Sequence, residues 1–351
     1  MNNIETRKNI AALSLSLIIL GVAFTSCSED VGVTPPEEEL FTYALPEGFP
    51  EIVEPEDNQA TEAKVELGRH LFYDKHLSRN LSIACASCHL QEHAFSDPNR
   101  VSVGVDDRIG TRNAPSLANV GYNRSLLWEG GVKTLEQQAI VPIIHPDEMD
   151  MQTDTLVDRL RGISPYLALF KAAWGDDDIT IERITKSLAA FERTIISGET
   201  PFDKWKRGNE TALSKSALRG ERIFFTERGD CFHCHGAFNF TDNIFHNNGL
   251  SETEDEGRFR ITQYNLDKGK FKTPTLRNIE VTAPYMHDGR LQSLEEVIDH
   301  YNNGGDGHSN SDPLIRPLNL TEEEQLDLLN FLKSLTDEEF LTRKDLSDPW
   351  Q

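Results

Sequence analysis

Five cysteines occur in these 351 residues: Cys27, Cys85, Cys88, Cys231 and Cys234. Four of them form two C-x-x-C pairs, and a histidine follows each pair at once: Cys85-Ala-Ser-Cys88-His89 and Cys231-Phe-His-Cys234-His235. This is the attachment signal for c-type haem. Two thiols add to the porphyrin vinyl groups, and the adjacent imidazole ligates iron. The covalent link retains the cofactor in a protein outside the cytoplasm, where free haem would be lost. Two disulfides would suit an oxidising compartment, and a zinc centre can use four thiolates. Both alternatives leave His89 and His235 without a task. The spacing therefore predicts two covalently bound haem c groups.

What such a haem does depends on the side of the iron opposite the histidine. With both axial positions filled it carries electrons; with one open it can bind and cleave peroxide. The surrounding elements must set that choice. Residues 62–77 read as a helix leading to the first motif, and residues 212–227 as a helix leading to the second. The two share a pattern, L-G-R-x-L-F and L-R-G-x-x-I-F-F, which suggests two cytochrome-like units. Further helical stretches lie at 134–140, 153–172 and 178–197. Ser293-Leu-Glu-Glu296 reads as a capping box opening a helix over 294–302, and Thr321-Glu-Glu-Glu324 opens one over 322–335. In the latter, Leu326, Leu329, Phe331, Leu332 and Leu335 are expected to cover the core. Strand signal is sparse. The expected fold is mainly α: two cytochrome c-like haem domains packed together with long loops, an N-terminal one over 60–205 and a C-terminal one over 206–340.

The first 26 residues carry Arg7 and Lys8 and then an apolar run at 11–24, too short to span a membrane comfortably and typical of an export signal. Cys27 follows small residues, as at a bacterial lipoprotein cleavage site, so 1–26 read as a signal peptide and Cys27 as the lipidated first residue. The Pro/Glu-rich stretch over 27–59 reads as a tether holding the body off a membrane in the periplasm or cell envelope. The net charge of −23 becomes −24 when Glu5, Arg7 and Lys8 are removed. Such a surface argues against nucleic acid as a partner and permits a basic electron-donor protein.

The chain resembles the bacterial di-haem cytochrome c peroxidase family, which includes a di-haem tryptophylquinone-maturation enzyme. The likeness runs from about residue 60 to 338 and rests on both haem motifs and on several segments. These are Arg112-Asn-Ala-Pro-Ser-Leu117, Leu127-Trp-Glu-Gly130, Leu135-Glu-Gln-Gln-Ala139 with Pro142, Glu148-Met149, Thr273-Pro-Thr-Leu-Arg-Asn278 and Pro284-Tyr-Met-His-Asp-Gly289. The resemblance implies a peroxidatic N-terminal haem and an electron-transferring C-terminal haem. It implies Glu148 as the distal acid–base group, Gln138 as the group orienting peroxide, and Trp128 as a path for electrons between the haems. It also implies a calcium ion taking oxygens from Asn113, Thr282 and Pro284. His287 and Arg277 are candidates for haem-propionate or interface contacts. Homodimers are common in the family; nothing else in the sequence speaks to one.

Two positions depart from the family pattern. Typical members place a displaceable histidine where this chain has Val105, which cannot ligate iron. The nearby His93 is too close to His89 to reach around the ring. The first haem is therefore expected to be open without reductive activation. Typical peroxidases also supply an axial methionine where this chain has Tyr301, and the quinone-maturing enzyme has tyrosine there too. A tyrosine ligand favours ferric and higher states. Met286 is a rival ligand, and the choice between the two stays open at this level. The leading expectation is a peroxidase that reduces hydrogen peroxide to water with electrons from a small external donor protein or another periplasmic reductant. The alternative is an oxidase using high-valent haem to modify a protein or other external substrate, and a third is a plain electron carrier.

Overall fold

The computed structural model describes residues 39–251 and 254–351. The export signal, Cys27 and the first part of the tether lie outside the described residues.

Helix starts follow side-chain caps. Thr61 opens α1 (Glu62–Tyr73) by accepting from the Lys64 amide, and Thr134 opens α2 (Leu135–Ile144) in the same way. The stretch expected as one helix over 153–172 is two, α3 (Thr153–Arg161) and α4 (Ser164–Trp174). Gly162 ends the first and Pro165 sits in the first turn of the second, where its missing N–H costs nothing. Thr180 caps α5 (Ile181–Arg193), and Thr200 with Asp203 forms a capping box on α6 (Pro201–Lys206). Ser214 caps α7 (Lys215–Phe224), followed by the short α8 (Phe232–His235) and α9 (Phe259–Thr262). At α10 (Leu294–Asn302) the Ser293 hydroxyl caps the Glu296 amide, but the Glu296 carboxylate reaches the Gln292 amide rather than Ser293, so the expected box is half-made. Thr321 and Glu324 complete theirs at α11 (Glu322–Lys333). The described strands are β1 (Phe245–His246) and β2 (Phe271–Lys272), an antiparallel ribbon pairing Phe245 with Lys272 and His246 with Phe271.

Two large apolar cores form, each beside one haem motif, and a small third cluster gathers Val120, Leu126, Leu135 and Ala189. In the first, α1 crosses α5, with Leu67, Leu71, Phe72, Leu188 and Phe191 buried. In the second, α7 crosses α11, with Ala217, Phe224, Leu328, Phe331 and Leu332 buried. The shared glycine of the sequence repeat sits at each crossing. A Cβ on Gly68 would lie 1.9 Å from the Ser187 carbonyl oxygen, and one on Gly220 would lie 1.9 Å from that of Asp327. Nothing larger than hydrogen lets the helices meet there. On α11 the apolar stripe is shifted from expectation: Leu328 is buried, whereas Leu326 points to solvent at 55% exposure. The chain end returns to the first core, where Phe340 and Leu346 are fully buried.

Candidate haem sites

The two attachment motifs fold alike. Cys85–Ser87 make a tight turn that puts the His89 amide on the Cys85 carbonyl at 3.0 Å, and in α8 the His235 amide meets the Cys231 carbonyl at 2.9 Å. Each imidazole then donates through Nδ1 to a backbone carbonyl, His89 to Phe95 at 2.8 Å and His235 to Phe240 at 2.9 Å. That bond fixes the tautomer and leaves Nε2 as the free ligating nitrogen. Burial holds both imidazoles below the ordinary histidine range, hence neutral and able to ligate. The four thiols are unpaired, and burial pushes Cys85, Cys88 and Cys231 up. Beside the second motif opens an apolar cavity walled by Cys231, Cys234, His235, Leu328 and Leu332. This donor set and cavity fit a covalently held haem.

The residues implied for the distal side of the first haem lie on α2 and the turn after it. Gln138 projects from α2 with its Oε1 buried and without a hydrogen-bond partner. Glu148 follows α2 in a turn fixed by its amide on the His145 carbonyl at 3.1 Å. Desolvation raises the Glu148 carboxyl above the usual carboxylate range, while His145, 3.8 Å away through Nδ1, pulls the other way. His145 carried no signal in the sequence beyond its nearness to Glu148. Val105 is fully buried, and its amide donates to the Glu148 carbonyl at 2.8 Å. A Cβ on Gly104 would lie 2.1 Å from the Asp147 carbonyl oxygen. The Val105 loop thus backs directly onto the Glu148 turn.

Two loops of the same shape join the sites. Leu126 bridges Val132, and Tyr285 bridges Leu291. Leu127 and Met286 both take positive φ, as do Gly130 and Gly289. Trp128 and His287 therefore occupy equivalent places in the two loops. Trp128 donates from Nε1 to the Asn113 carbonyl at 2.8 Å, and the Asn113 amide donates to the His287 carbonyl at 2.8 Å. Trp128 also reaches the wall of the second cavity, and its carbonyl accepts from the Lys272 amide at 2.7 Å. His287 stacks on Phe271 with ring centroids 3.7 Å apart, and burial lowers it to about 4; its Nε2 is buried and unpartnered. Arg277 pairs with Asp203 at 2.8 and 3.1 Å and donates to the Phe238 carbonyl. Lys272 is one of the basic side chains in the cavity wall, with Arg316 and His246, and burial lowers it to about 8. It ends β2, one residue before Thr273, and its sequence position alone did not mark it.

Met286 and Tyr301 both line the second cavity, and Asn248 stands beside them. His246 is clamped between Asp242 and Asp312, each at 2.8 Å, and its imidazolium is held up at about 11, Asp242 contributing most. Asn113 is buried, with Nδ2 donating to the carbonyl of Asn99 at 3.0 Å and those of Asp97 and Arg100 at 3.4 Å, which leaves Oδ1 as the atom able to meet a cation. The Thr282 hydroxyl is engaged by the Ile279 carbonyl.

Residues 62–211 match the protein family described as di-haem cytochrome c peroxidase. The chain is 38% identical over 331 residues to the methylamine utilization protein MauG of Methylorubrum extorquens, covering 92% of this chain and 94% of that one. It is 30% identical over 383 residues to the cytochrome-c peroxidase IdrP1 of a Pseudomonas species, covering 97% of each. The crystal structure of a MauG-like protein associated with microbial copper homeostasis superposes with a TM-score of 0.85 at 37% identity, over 89% of this chain and all of that one.

Proposed function

Since the chain belongs to the bacterial di-haem cytochrome c peroxidase and MauG-like family, a family of oxidoreductases, we propose that it is a di-haem oxidase that uses peroxide to oxidise an external protein or other substrate. This reverses the order favoured by the sequence alone. Tyr301 in the wall of the second cavity carries the proposal. An anionic oxygen ligand suits a centre that must hold oxidising equivalents until a substrate supplies electrons, better than it suits rapid exchange with a donor. The whole-length likeness to MauG supports the same reading.

Haem, when bound by Cys85, Cys88 and His89 and by Cys231, Cys234 and His235, supplies peroxide cleavage and electron storage. The chain supplies the rest. Glu148 takes the proton from the near peroxide oxygen and returns it to the far one, a task suited to a carboxyl that desolvation raises. Gln138 orients the peroxide by hydrogen bonding, and Val105 leaves the distal side without a competing ligand. Trp128 conducts electrons between the sites. The substrate gives two electrons, and two protons complete two waters. Lys272 in the cavity wall would offer its charge to a carboxylate of the bound haem, and Asn113 Oδ1, with the carbonyls of Thr282 and Pro284, would meet a calcium ion. Export, and anchoring through Cys27, belong to this proposal.

The test is a stopped-flow record of the ferric protein with one equivalent of peroxide. A prompt spectral change that persists without donor, and is slow to decay with a reduced small cytochrome, supports the oxidase. Rapid decay with that cytochrome supports the peroxidase reading, which Glu148 with Gln138 also serves. No change with peroxide would overturn both.

A further inference from the structure

Asn248 stands beside both side chains that could reach the second iron. Its Nδ2 donates to the Met286 sulfur at 3.1 Å, and it walls the same cavity as Tyr301. We propose that Asn248 is a positioning residue that holds the Met286 thioether away from the second iron and so leaves that position to Tyr301. This rests on the role given to Tyr301 above.

A choice must be made because both side chains wall the same cavity. Methionine is flexible and its thioether is a competent haem ligand. The sulfur has few acceptor sites, and an N–H directed at it occupies the lone pair a metal would use. The backbone of Met286 is fixed in its loop: it stands at φ 75°, and the Gly289 amide closes the turn on its carbonyl at 3.2 Å. With the backbone fixed, the placement of the sulfur falls to its side-chain contacts.

Asn248 is well held for the task. The neighbouring Asn247 is buried; its Oδ1 accepts from the Gly249 amide at 3.0 Å and its Nδ2 donates to the Lys268 carbonyl at 3.3 Å. On the other side the Gly249 carbonyl accepts from the Asp306 amide at 2.7 Å. The Asn248 carbonyl itself accepts from His300 Nε2 at 2.9 Å, and His300 immediately precedes Tyr301 on α10. The segment that restrains the sulfur is thus tied to the helix that carries the phenol. When the phenolate ligates, the same amide can donate to its oxygen and support the negative charge.

The test uses the intact di-haem protein. Asn248→Asp keeps the shape and removes the N–H donors; Asn248→Leu removes all polarity; Asn248→Gln restores a donor. The readouts are near-infrared absorption, electron paramagnetic resonance of the ferric protein, and the midpoint potential of the second haem. We expect tyrosinate signatures in the wild type. In the Asp and Leu variants a methionine–iron band should appear with an upward shift in potential. Adding Met286→Leu should abolish both changes, and the Gln variant should resemble wild type. Unchanged ligand bands and potential in both the Asp and Leu variants would overturn the role of Asn248. A methionine band in the wild type would instead overturn the assignment of Tyr301. Met286→Leu alone gives a check independent of how the Asn248 variants fold: it must leave the wild-type bands and potential in place, and any ligand change refutes the proposal.

Discussion

Replacing Gly220 with alanine sets two known effects against each other. Alanine favours the helix over glycine by about 1 kcal/mol. Its Cβ, however, would sit 1.9 Å from the Asp327 carbonyl oxygen, 2.5 Å from the carbonyl carbon and 2.9 Å from the Phe331 Cβ. A carbon–oxygen contact needs about 3.3 Å, so α7 must retreat from α11 by roughly 1.4 Å at that point. A gap of even 0.5–1 Å forfeits about a quarter to a half of each dispersion contact, and Phe224, Leu328 and Phe331 all meet across this crossing. Overpacking costs about 1–3 kcal/mol at ordinary core sites; a backbone collision on one side and an aromatic core on the other place this one at the upper end. The net expectation is a loss of about 2 kcal/mol, read as a lower thermal midpoint. Cys231 lies just beyond α7, so the loss should fall on the second haem, lowering the haem-to-protein ratio toward one while the first haem's spectrum persists. Gly68→Ala should do the converse. A Gly220→Ala protein as stable as wild type, with two haems, would mean that the propensity term wins and that the close crossing is wrong.

Four other outcomes are expected. Glu148→Gln should slow the reaction with peroxide by about 10²- to 10⁴-fold; the wild-type rate should fall as pH drops through the raised carboxyl pKa, because the base is then protonated, and the variant's rate should be flat there. Trp128→Phe should leave the first haem's reaction with peroxide intact while delaying the response of the second haem, followed by stopped-flow at the second haem's bands. Glu192, buried and raised to about 8 from 4.5, favours the folded state only while protonated, so stability should decline as pH rises from about 4.5 to about 8, and Glu192→Gln should remove that slope from denaturant midpoints. Asp203→Asn, which strips the partner from buried Arg277, should cost about 3–5 kcal/mol in urea unfolding.

The parts of this protein that could be read from sequence are those whose physics is local. Haem attachment needs two thiols and an imidazole within five residues, so the motifs announce themselves. Caps such as Thr321 with Glu324 are likewise local, and the crossing glycines show through the repeat in which they stand. Leu326 misled because a stripe of leucines on α11 fits more than one rotation of the helix, and packing against α7 selected Leu328 instead. The return of Phe340 and Leu346 to the first core depends on contacts with residues hundreds of positions earlier, which no periodicity records. Asn248, His145 and Lys272 were missed for the same reason: a lone polar residue acquires a role only from what folding puts beside it. Glu148, Gln138 and Trp128 came from family likeness, not from spacing.

The carbonyl bonds from Phe95 and Phe240 to the two ligating histidines have a consequence for how the halves can differ. Each imidazole donates to an uncharged oxygen at nearly the same distance, so this bond does not distinguish the two ligating nitrogens. A bond so nearly the same in both halves cannot by itself make one centre reactive and the other a reservoir. Under the proposed reading the difference between the centres rests with Val105 and Glu148 at the first and with Tyr301, Met286 and Asn248 at the second. A designer wishing to exchange the duties of the two centres could leave both attachment motifs untouched.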